Sequence, residues 1–245
     1  MSEPGQCKLC LQVKPLCNSH IIPELAYKTI YDGKHQFLEL DGGAGTYSRP
    51  QKGFREPLLC DECEKIFQRY ENCFVRFWYQ RDPLPDPVNV DILKRSGFDF
   101  EPFYRFHLSI FWRAAVAKES RFSAVILGPF EEPLRQYLHG EVTTLQHEPT
   151  VCGIILRRPR THELCNWLMI GPVWQRIDGI KIYTFVFGGC SWRYYVSKQR
   201  GPYLSLRLRR PGTIIMPVTD YTKEGSITRA WEEWRRMPNW KDPFG

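Results

Sequence analysis

Four cysteines in two C-x2-C pairs are the residues of this chain whose types and spacing indicate chemistry most directly. The pairs are Cys7/Cys10 and Cys60/Cys63. A two-residue gap lets both sulfurs of a pair reach one ion without strain, and two such pairs supply the four thiolates of a tetrahedral zinc site. We therefore predict one structural Zn²⁺ ion, which would bring residue 7 beside residue 63.

A histidine and a glutamate accompany the predicted zinc site. His20 lies between the two cysteine pairs, in the segment Ser-His-Ile-Ile-Pro, and Glu64 directly follows Cys63. The zinc ion would fix the imidazole relative to the carboxylate. A histidine has an unperturbed pKa near 6.5, so it is largely neutral at cellular pH and can accept a proton. His20 and Glu64 are thus candidate catalytic residues.

These residues resemble an HNH endonuclease of the His-Me finger (ββα-metal) type, in its zinc-supported variety. In that family a C-x2-C pair precedes an [Asp/His]-His-Ile-x-Pro strand, and an L-C-x-x-C-[Asn/His] segment opens the next helix. The resemblance covers about residues 7–78. It implies that Cys7, Cys10, Cys60 and Cys63 bind zinc, that His20 is the general base, and that Glu64 helps to hold a catalytic Mg²⁺ or Mn²⁺ ion. Ser19 stands where the family usually has Asp or His, and Glu64 where it usually has His or Asn.

Structural alternatives exist for both candidate catalytic residues. His20 could support the zinc fold as a hydrogen-bond donor to a thiolate or as an alternative ligand. A carboxylate in the first turn of a helix is favoured by the helix dipole alone, which could account for Glu64. The sequence therefore leaves two functions open: a metal-dependent endonuclease, and a catalytically silent zinc-binding module that recognises nucleic acid or a partner protein.

The composition predicts a folded cytoplasmic protein without a membrane span. The chain has 245 residues, 42% of them hydrophobic, which is enough for a buried core. No run of about 18 apolar residues and no signal-peptide pattern is present. Of the nine cysteines, those outside the two pairs are expected to be buried small hydrophobes, with Cys17 as a candidate substitute ligand.

The positive charge is concentrated in the C-terminal half. Residues 150–245 contain 16 Lys and Arg against 7 Asp and Glu, a balance of +9, whereas residues 1–149 contain 18 against 20, a balance of −2. Arginines interleaved with aromatic residues suit a phosphate backbone with stacked bases, although ordinary solvation of strands by arginine is an equal alternative. The predicted nucleic-acid-binding residues are Arg157, Arg158, Arg160, Arg207, Arg209 and Arg210.

Hydrophobic periodicity predicts an α+β fold, in which the zinc-supported ββα-metal (HNH-like) module is followed by helices and a mainly antiparallel sheet. Helices are expected after the second cysteine pair, over 103–118, over 131–138 and over 227–234. Strands are expected over 151–156, 164–170, 180–187, 192–196 and 203–208. The proline-rich segment 81–87 is expected to separate a module of residues 1–82 from a basic domain of residues 88–245. His107, on an apolar helix face, is expected to be a core residue.

The function that these features predict is hydrolysis of phosphodiester bonds by an HNH-like endonuclease. The N-terminal module would cut, and the basic remainder would bind nucleic acid, DNA more readily than RNA, or a companion protein. By analogy with stand-alone HNH-like proteins, the resemblance implies a role in antiviral defence. No nucleotide-binding, hydrolase or metalloprotease motif competes with this prediction.

Overall fold

The protein has an α+β structure with four α-helices and mainly antiparallel strands among its described residues. The computed structural model describes residues 4–37, 39–41, 46–81, 83–197, 201, 203–225, 227–228, 232 and 235–236, with backbone only for residues 39–41, 46 and 47. The N-terminal elements are β1 (Pro4–Gln6), β2 (Val13–His20), α1 (Glu24–Tyr27), β3 (Glu39–Asp41), β4 (Thr46–Ser48), β5 (Arg55–Cys60) and α2 (Asp61–Val75), which a π-helix (Arg76–Arg81) extends.

The rest of the chain forms a larger sheet and two helices. Its elements are β6 (Ile92–Ser96), α3 (Phe100–Val116), α4 (Glu131–His139), β7 (Thr150–Arg157), β8 (Ile170–Ile177), β9 (Ile180–Phe187), β10 (Cys190–Tyr195) and β11 (Thr213–Asp220). The strand order is β6-β11-β7-β10-β9-β8. The β11–β7 pair is parallel and the other pairs are antiparallel.

In the N-terminal part, β2 and β5 are neighbouring strands and α2 follows β5, although α1, β3 and β4 lie between β2 and β5 along the chain. β2 pairs with β1 and β5 in an antiparallel sheet of three strands. β5 runs directly into α2, so Cys60 is both the last residue of the strand and the N-cap of the helix. Three acidic residues in the first turn, Asp61, Glu62 and Glu64, suit the positive end of the helix dipole. This order agrees with a ββα arrangement, while the family assignment itself stays a prediction.

α2 and α3 lie antiparallel and hold an aromatic core between them and the large sheet. Phe67 contacts Trp112, and Phe74 stacks on Phe106 with 4.1 Å between ring centroids. The predicted core position of His107 is confirmed, since it is fully buried beside Trp192. One hydrophobic cluster includes residues from both sides of the proline-rich segment. The division into residues 1–82 and 88–245 stays a prediction.

The periodic helices were predicted correctly, and two of the strands were not. The helices predicted over 103–118 and 131–138 are α3 and α4, and the one after the second cysteine pair is α2. The predicted strand 203–208 is wrong, because Leu204–Leu206 is a 3-10 helix whose carbonyls bind the Arg209 side chain. The predicted strand 164–170 is also wrong, because the observed strand, β8, begins only at Ile170 and continues to Ile177. β8 is an edge strand with a register shift near Pro172, and proline is tolerated in edge strands.

Part of the sequence prediction falls on residues that the structure does not describe. The predicted helix 227–234 includes Trp231 and Trp234, which lie outside the described residues, while Ile227 and Thr228 are helical. Lys198 and Arg200, which contribute to the positive charge of the C-terminal half, also lie outside the described residues. No helix formed by the described residues is long and apolar enough to cross a lipid bilayer.

Candidate metal centre and active site

The four predicted zinc ligands come together at one point. The Sγ atoms of Cys7, Cys10, Cys60 and Cys63 all lie within 4.8 Å of one another, and those of Cys10 and Cys60 are 3.8 Å apart. Tetrahedral zinc with bonds of about 2.3 Å to sulfur has sulfur–sulfur edges of about 3.8 Å, whereas a disulfide bond requires about 2.05 Å. The predicted clustering is confirmed, and its geometry is compatible with a structural zinc ion.

Two local structures present the cysteines. In the turn between β1 and β2, the Leu11 amide donates to the Cys7 carbonyl at 2.9 Å, and Leu11 has a φ of 61°. Cys60 and Cys63 lie at the N-cap and in the first turn of α2, so the start of the helix directs both sulfurs to one side. Pairing of Leu16 with Cys60 between β2 and β5 then joins the two structures. Cys17 is not part of the cluster.

The thiols of the cluster influence each other's ionisation. A hydrogen bond from Cys63 lowers the pKa of Cys7, and the same bond raises the pKa of Cys63. Burial raises the pKa of Cys60. The charge of the Cys7 thiolate also contributes to the raised pKa of both Cys60 and Cys63, because like charges repel each other. A divalent cation would remove this repulsion and permit four thiolates.

His20 ends β2, and α3 holds its backbone. In the β2–β5 ladder His20 pairs with Arg55. The His20 carbonyl accepts a hydrogen bond from Arg113 Nη1 at 2.9 Å. Arg113 is 1% exposed, and its Nη2 also binds Glu71 Oε1 on α2 at 3.0 Å. The strand end that carries His20 is therefore bonded directly to α3 and, through the Arg113–Glu71 pair, linked to α2.

Glu24 is the carboxylate that contacts the His20 side chain. Its Oε2 lies 2.6 Å from His20 Nε2, in an alignment too oblique for a regular hydrogen bond. Oε2 also pairs with Arg55 Nη2 at 3.2 Å, and Oε1 accepts a hydrogen bond from the Tyr31 hydroxyl at 2.7 Å. Nε2 is the ring nitrogen that faces the carboxylate. A proton on Nε2 would leave Nδ1 as the acceptor nitrogen.

The surroundings of His20 favour its neutral form. Burial is the largest effect and lowers the pKa of the imidazole; Arg55 and Arg113 lower the pKa further, and Glu24 raises it. Burial opposes ionisation of Glu24 too, but the Tyr31 hydrogen bond and His20 outweigh it and lower the pKa of that carboxyl. At pH 7 the pair is a neutral imidazole beside a carboxylate. This is the charge state of a general base with an orienting group.

Glu64 faces β2 from the first turn of α2. Its Oε1 is buried and forms no hydrogen bond with the described residues. Burial raises the pKa of the Cys17 thiol on β2, and the Glu64 charge raises it further. No hydrogen bond or ion pair in the described part of the chain joins Glu64 to His20. Their joint role as catalytic residues stays a prediction.

The structure describes no cage of protein ligands for a second cation. Among the described residues, the cysteine cluster is the one group of three or more His, Cys, Asp or Glu residues close enough to hold an ion. Ser19 is 2% exposed, and its Oγ accepts the Leu59 amide at 3.1 Å, so this hydroxyl is already used. Mg²⁺ usually binds through one or two carboxylates and keeps several waters, which leaves Glu64 as the candidate ligand.

Three residues of this site, Glu24, Arg113 and Glu71, were not among the predicted site residues. Glu24 follows His20 by four residues, directly after Pro23 at the start of a helix, and this spacing was the available signal. The Arg113–Glu71 pair had none, because Arg113 is 93 residues from the carbonyl that it binds. Contacts over such separations are decided by packing.

Four of the six predicted nucleic-acid-binding arginines make contacts within the fold, and two of them are held by acids from distant parts of the chain. Arg157 pairs with Asp220 at 2.9 Å and donates to two backbone carbonyls. Arg210 pairs with Glu148 at 3.0 Å, and its guanidinium lies over the Phe100 ring. These contacts give both residues a structural role, and binding of nucleic acid by them stays a prediction.

The four predicted arginines other than Arg157 and Arg210 are exposed but do not form one patch. Arg158 and Arg160 follow the C-terminal end of β7, whereas the Leu208 amide, between Arg207 and Arg209, binds Val151 at the other end. A strand of eight residues separates its ends by about 23 Å, at about 3.3 Å per step. A single short segment of nucleic acid would therefore contact one group or the other.

Comparison with known proteins gave no match: no family model, no curated protein and no solved structure corresponds to this chain at a significant level. The site is therefore interpreted from its own chemistry.

Proposed function

We propose that the protein is a metal-dependent, HNH-like endonuclease that hydrolyses phosphodiester bonds of nucleic acid, DNA more readily than RNA. The observation that supports this most is the state of His20. Its backbone is held by Arg113, its Nε2 faces Glu24, and its lowered pKa leaves Nδ1 able to accept a proton. The cysteine cluster beside the strand–strand–helix arrangement supports the same proposal.

Each residue of the site has a role in this proposal. His20 Nδ1 takes a proton from water while the water oxygen bonds to phosphorus and the phosphorus bond to the leaving oxygen breaks. Glu24 keeps the imidazole in the tautomer that presents Nδ1. Arg55 provides positive charge beside the imidazole, where an anionic phosphate would lie.

A divalent cation completes the proposed chemistry. Glu64 would be its protein ligand, since its buried Oε1 is unpartnered among the described residues. Such a cation stabilises the charge on the reacting phosphate and on the leaving oxygen.

The test is cleavage of plasmid DNA, and of RNA, by the wild-type protein and two variants. With Mg²⁺ or Mn²⁺ present, we expect cleavage by the wild-type protein and a fall of about 10²- to 10⁴-fold for His20→Ala, since that is the usual contribution of a general base. Glu64→Gln is expected to lower cleavage comparably, because an amide binds a divalent cation less well than a carboxylate.

Matched controls separate chemistry from folding in this test. His147→Ala changes a histidine in the loop before β7, and Glu62→Gln changes an exposed acid in the same helix turn as Glu64. Both should retain wild-type cleavage, and all four variants should keep zinc content and melting temperature. Undiminished cleavage by His20→Ala would disprove its role as the base.

A silent zinc-binding module is the alternative that one observation favours. The Ser19 hydroxyl, at the position where the resembled family has a metal ligand, is buried and bound to the Leu59 amide. If the wild-type protein binds nucleic acid or a partner protein yet cleaves neither DNA nor RNA with any added cation, this alternative is correct.

Glu24→Gln should change the pH dependence of cleavage as well as its rate. The carboxylate raises the pKa of His20 against burial, Arg55 and Arg113, so its removal should lower that pKa further. The base must be neutral, and the acid limb of the rate profile should therefore move to lower pH, while the maximal rate falls because the ring is less well oriented. The measurement is cleavage rate between about pH 5 and 8, the range in which a histidine titrates.

A purely structural Glu24 would give a different result. It would lower the rate at all pH values equally, through the fraction of folded protein, and the acid limb would stay in place. Glu56→Gln is a suitable control, because Glu56 accepts backbone amides at the end of α3 and does not contact the imidazole.

A further inference from the structure

A pocket of about 310 Å³ lies between the C-terminal half of α2 and the N-terminus of α3. Three arginines line it, Arg69, Arg76 and Arg81, and all three side chains are exposed. Phe77 and Phe98, which are 5% and 6% exposed, form its apolar floor. The pocket thus combines converging guanidinium groups with a hydrophobic base.

Among the described residues, no acid forms an ion pair with these arginines. None of the three side chains forms a hydrogen bond in that part of the chain either. Asp99 is the one acidic residue of the lining, and it caps α3 by accepting the Glu101 amide at 3.3 Å. Three positive charges against one negative leave a local balance of +2.

Three buried arginines of the fold are each paired with an acid. Arg113, Arg135 and Arg193 each bind a glutamate within 3.0 Å. Three neighbouring guanidinium groups without acids repel each other, and a bound anion would relieve that repulsion. The contrast indicates that the anion comes from outside the chain.

The pocket is separate from the proposed active site. Arg69 and Arg76 are seven residues apart and share one face of α2. Glu71 is two residues from Arg69, about 200° around the helix, and it faces Arg113 and the His20 strand. A ligand in the pocket would therefore lie on the side of α2 that points away from His20.

We propose that this pocket binds the phosphate of a nucleotide unit, with the sugar or base against Phe77 and Phe98. A guanidinium binds phosphate through two parallel hydrogen bonds, which suits arginine better than lysine at such a site. The volume is at the lower end of the range of about 300–1,000 Å³ for small-ligand sites. The proposal does not depend on catalysis by His20.

The test is binding of a fluorescein-labelled single-stranded oligonucleotide, measured by anisotropy without added divalent cation. The double variant Arg69→Gln, Arg76→Gln should bind about tenfold more weakly than the wild-type protein. The slope of log affinity against log salt concentration should become shallower by about 1.4. Each phosphate contact to a single strand contributes about 0.7 to this slope, and the variant removes two contacts. The control is Arg49→Gln, Arg176→Gln, which removes two exposed arginines elsewhere and should bind as the wild type does.

The phosphate could belong to a free nucleotide or to a nucleic-acid strand. Competition by unlabelled AMP distinguishes these two sources. Displacement of the oligonucleotide by AMP from the wild-type protein, but not from the double variant, assigns the pocket to a free nucleotide. Absence of displacement, with the mutational effect present, assigns it to a nucleic-acid strand.

Three results would overturn the proposal. They are no binding of either probe by the wild-type protein, equal affinity and salt dependence in the double variant and the wild type, or an equal loss in the control. Binding is measured here without cleavage, so none of these results decides whether the protein is a nuclease, which is tested separately by the cleavage assay.

Discussion

Freshly purified protein is expected to contain one zinc ion per chain, and Cys60→Ser to lose both the zinc and the cooperative fold. Structural zinc contributes about 10–16 kcal/mol in small zinc domains, whereas a whole domain is stable by about 5–15 kcal/mol. Cys7, Cys60 and Cys63 are buried in the same hydrophobic cluster as Phe67, so loss of the ion would disturb packing in the main core. Elemental analysis and thermal unfolding followed by circular dichroism measure the two effects.

Cys17→Ser is the matched control for this expectation. Cys17 is a half-buried cysteine on β2 near the first pair, but it lies outside the cluster. Its replacement should leave the zinc content at one equivalent and shift the melting temperature little. A zinc content below half an equivalent, or a wild-type melting curve for Cys60→Ser, would contradict a structural zinc site. Iron in place of zinc would change the identity of the metal, since four thiolates also bind iron.

Arg113→Met is expected to lower the free energy of unfolding by about 3–5 kcal/mol. The change keeps an apolar stem over the Phe67 ring but leaves Glu71 and the His20 carbonyl without their partner. Removing one member of a buried ion pair costs about this much, because the remaining charge stays away from water. For a chain of this size the melting temperature should fall by about 10 °C. Urea denaturation measures the free energy directly.

Arg76→Met provides the comparison for Arg113. Arg76 is an exposed arginine at the end of α2 without an ion pair among the described residues. Its replacement should change the free energy of unfolding by no more than about 0.5 kcal/mol. Equal effects of the two substitutions would mean that the Arg113–Glu71 pair does not hold α3 to α2 and the His20 strand.

The sequence alone was sufficient for features set by short spacings. The two C-x2-C pairs identified all members of the cysteine cluster, because both sulfurs of a pair are placed by one turn or by the start of one helix. α2 was predicted from apolar residues at three- and four-residue spacing, and Phe67 and Phe74 are buried as that spacing requires. Burial of His107 followed from the same reasoning on α3.

Local patterns failed where backbone groups found partners other than those of a regular strand. The alternation over Leu204–Leu206 predicts a strand, but this segment forms a 3-10 helix whose carbonyls are bound by Arg209. Pro172 and its neighbouring glycine are typical of a turn, yet they lie in β8 because an edge strand does not need every backbone amide. Both outcomes depend on which neighbours the sheet supplies.

Clusters of like charge in the sequence also did not correspond to one surface. The arginines near residue 158 and those near residue 208 lie at opposite ends of β7. The distance between the two groups is set by the packing of the sheet, which composition does not encode. Their proposed role in nucleic-acid binding remains to be measured, and so does that of the pocket lined by Arg69, Arg76 and Arg81.

The sequence determined the chemistry that was available, namely four thiols, His20 between the two cysteine pairs and a glutamate after the last cysteine. Only the tertiary structure decided which groups surround that histidine. Glu24 reaches His20 through a tight turn, and Arg113 reaches it from a helix 93 residues further along the chain. The physical reason is that side-chain spacing within one element is fixed by backbone geometry, whereas contacts between elements depend on how the whole core packs.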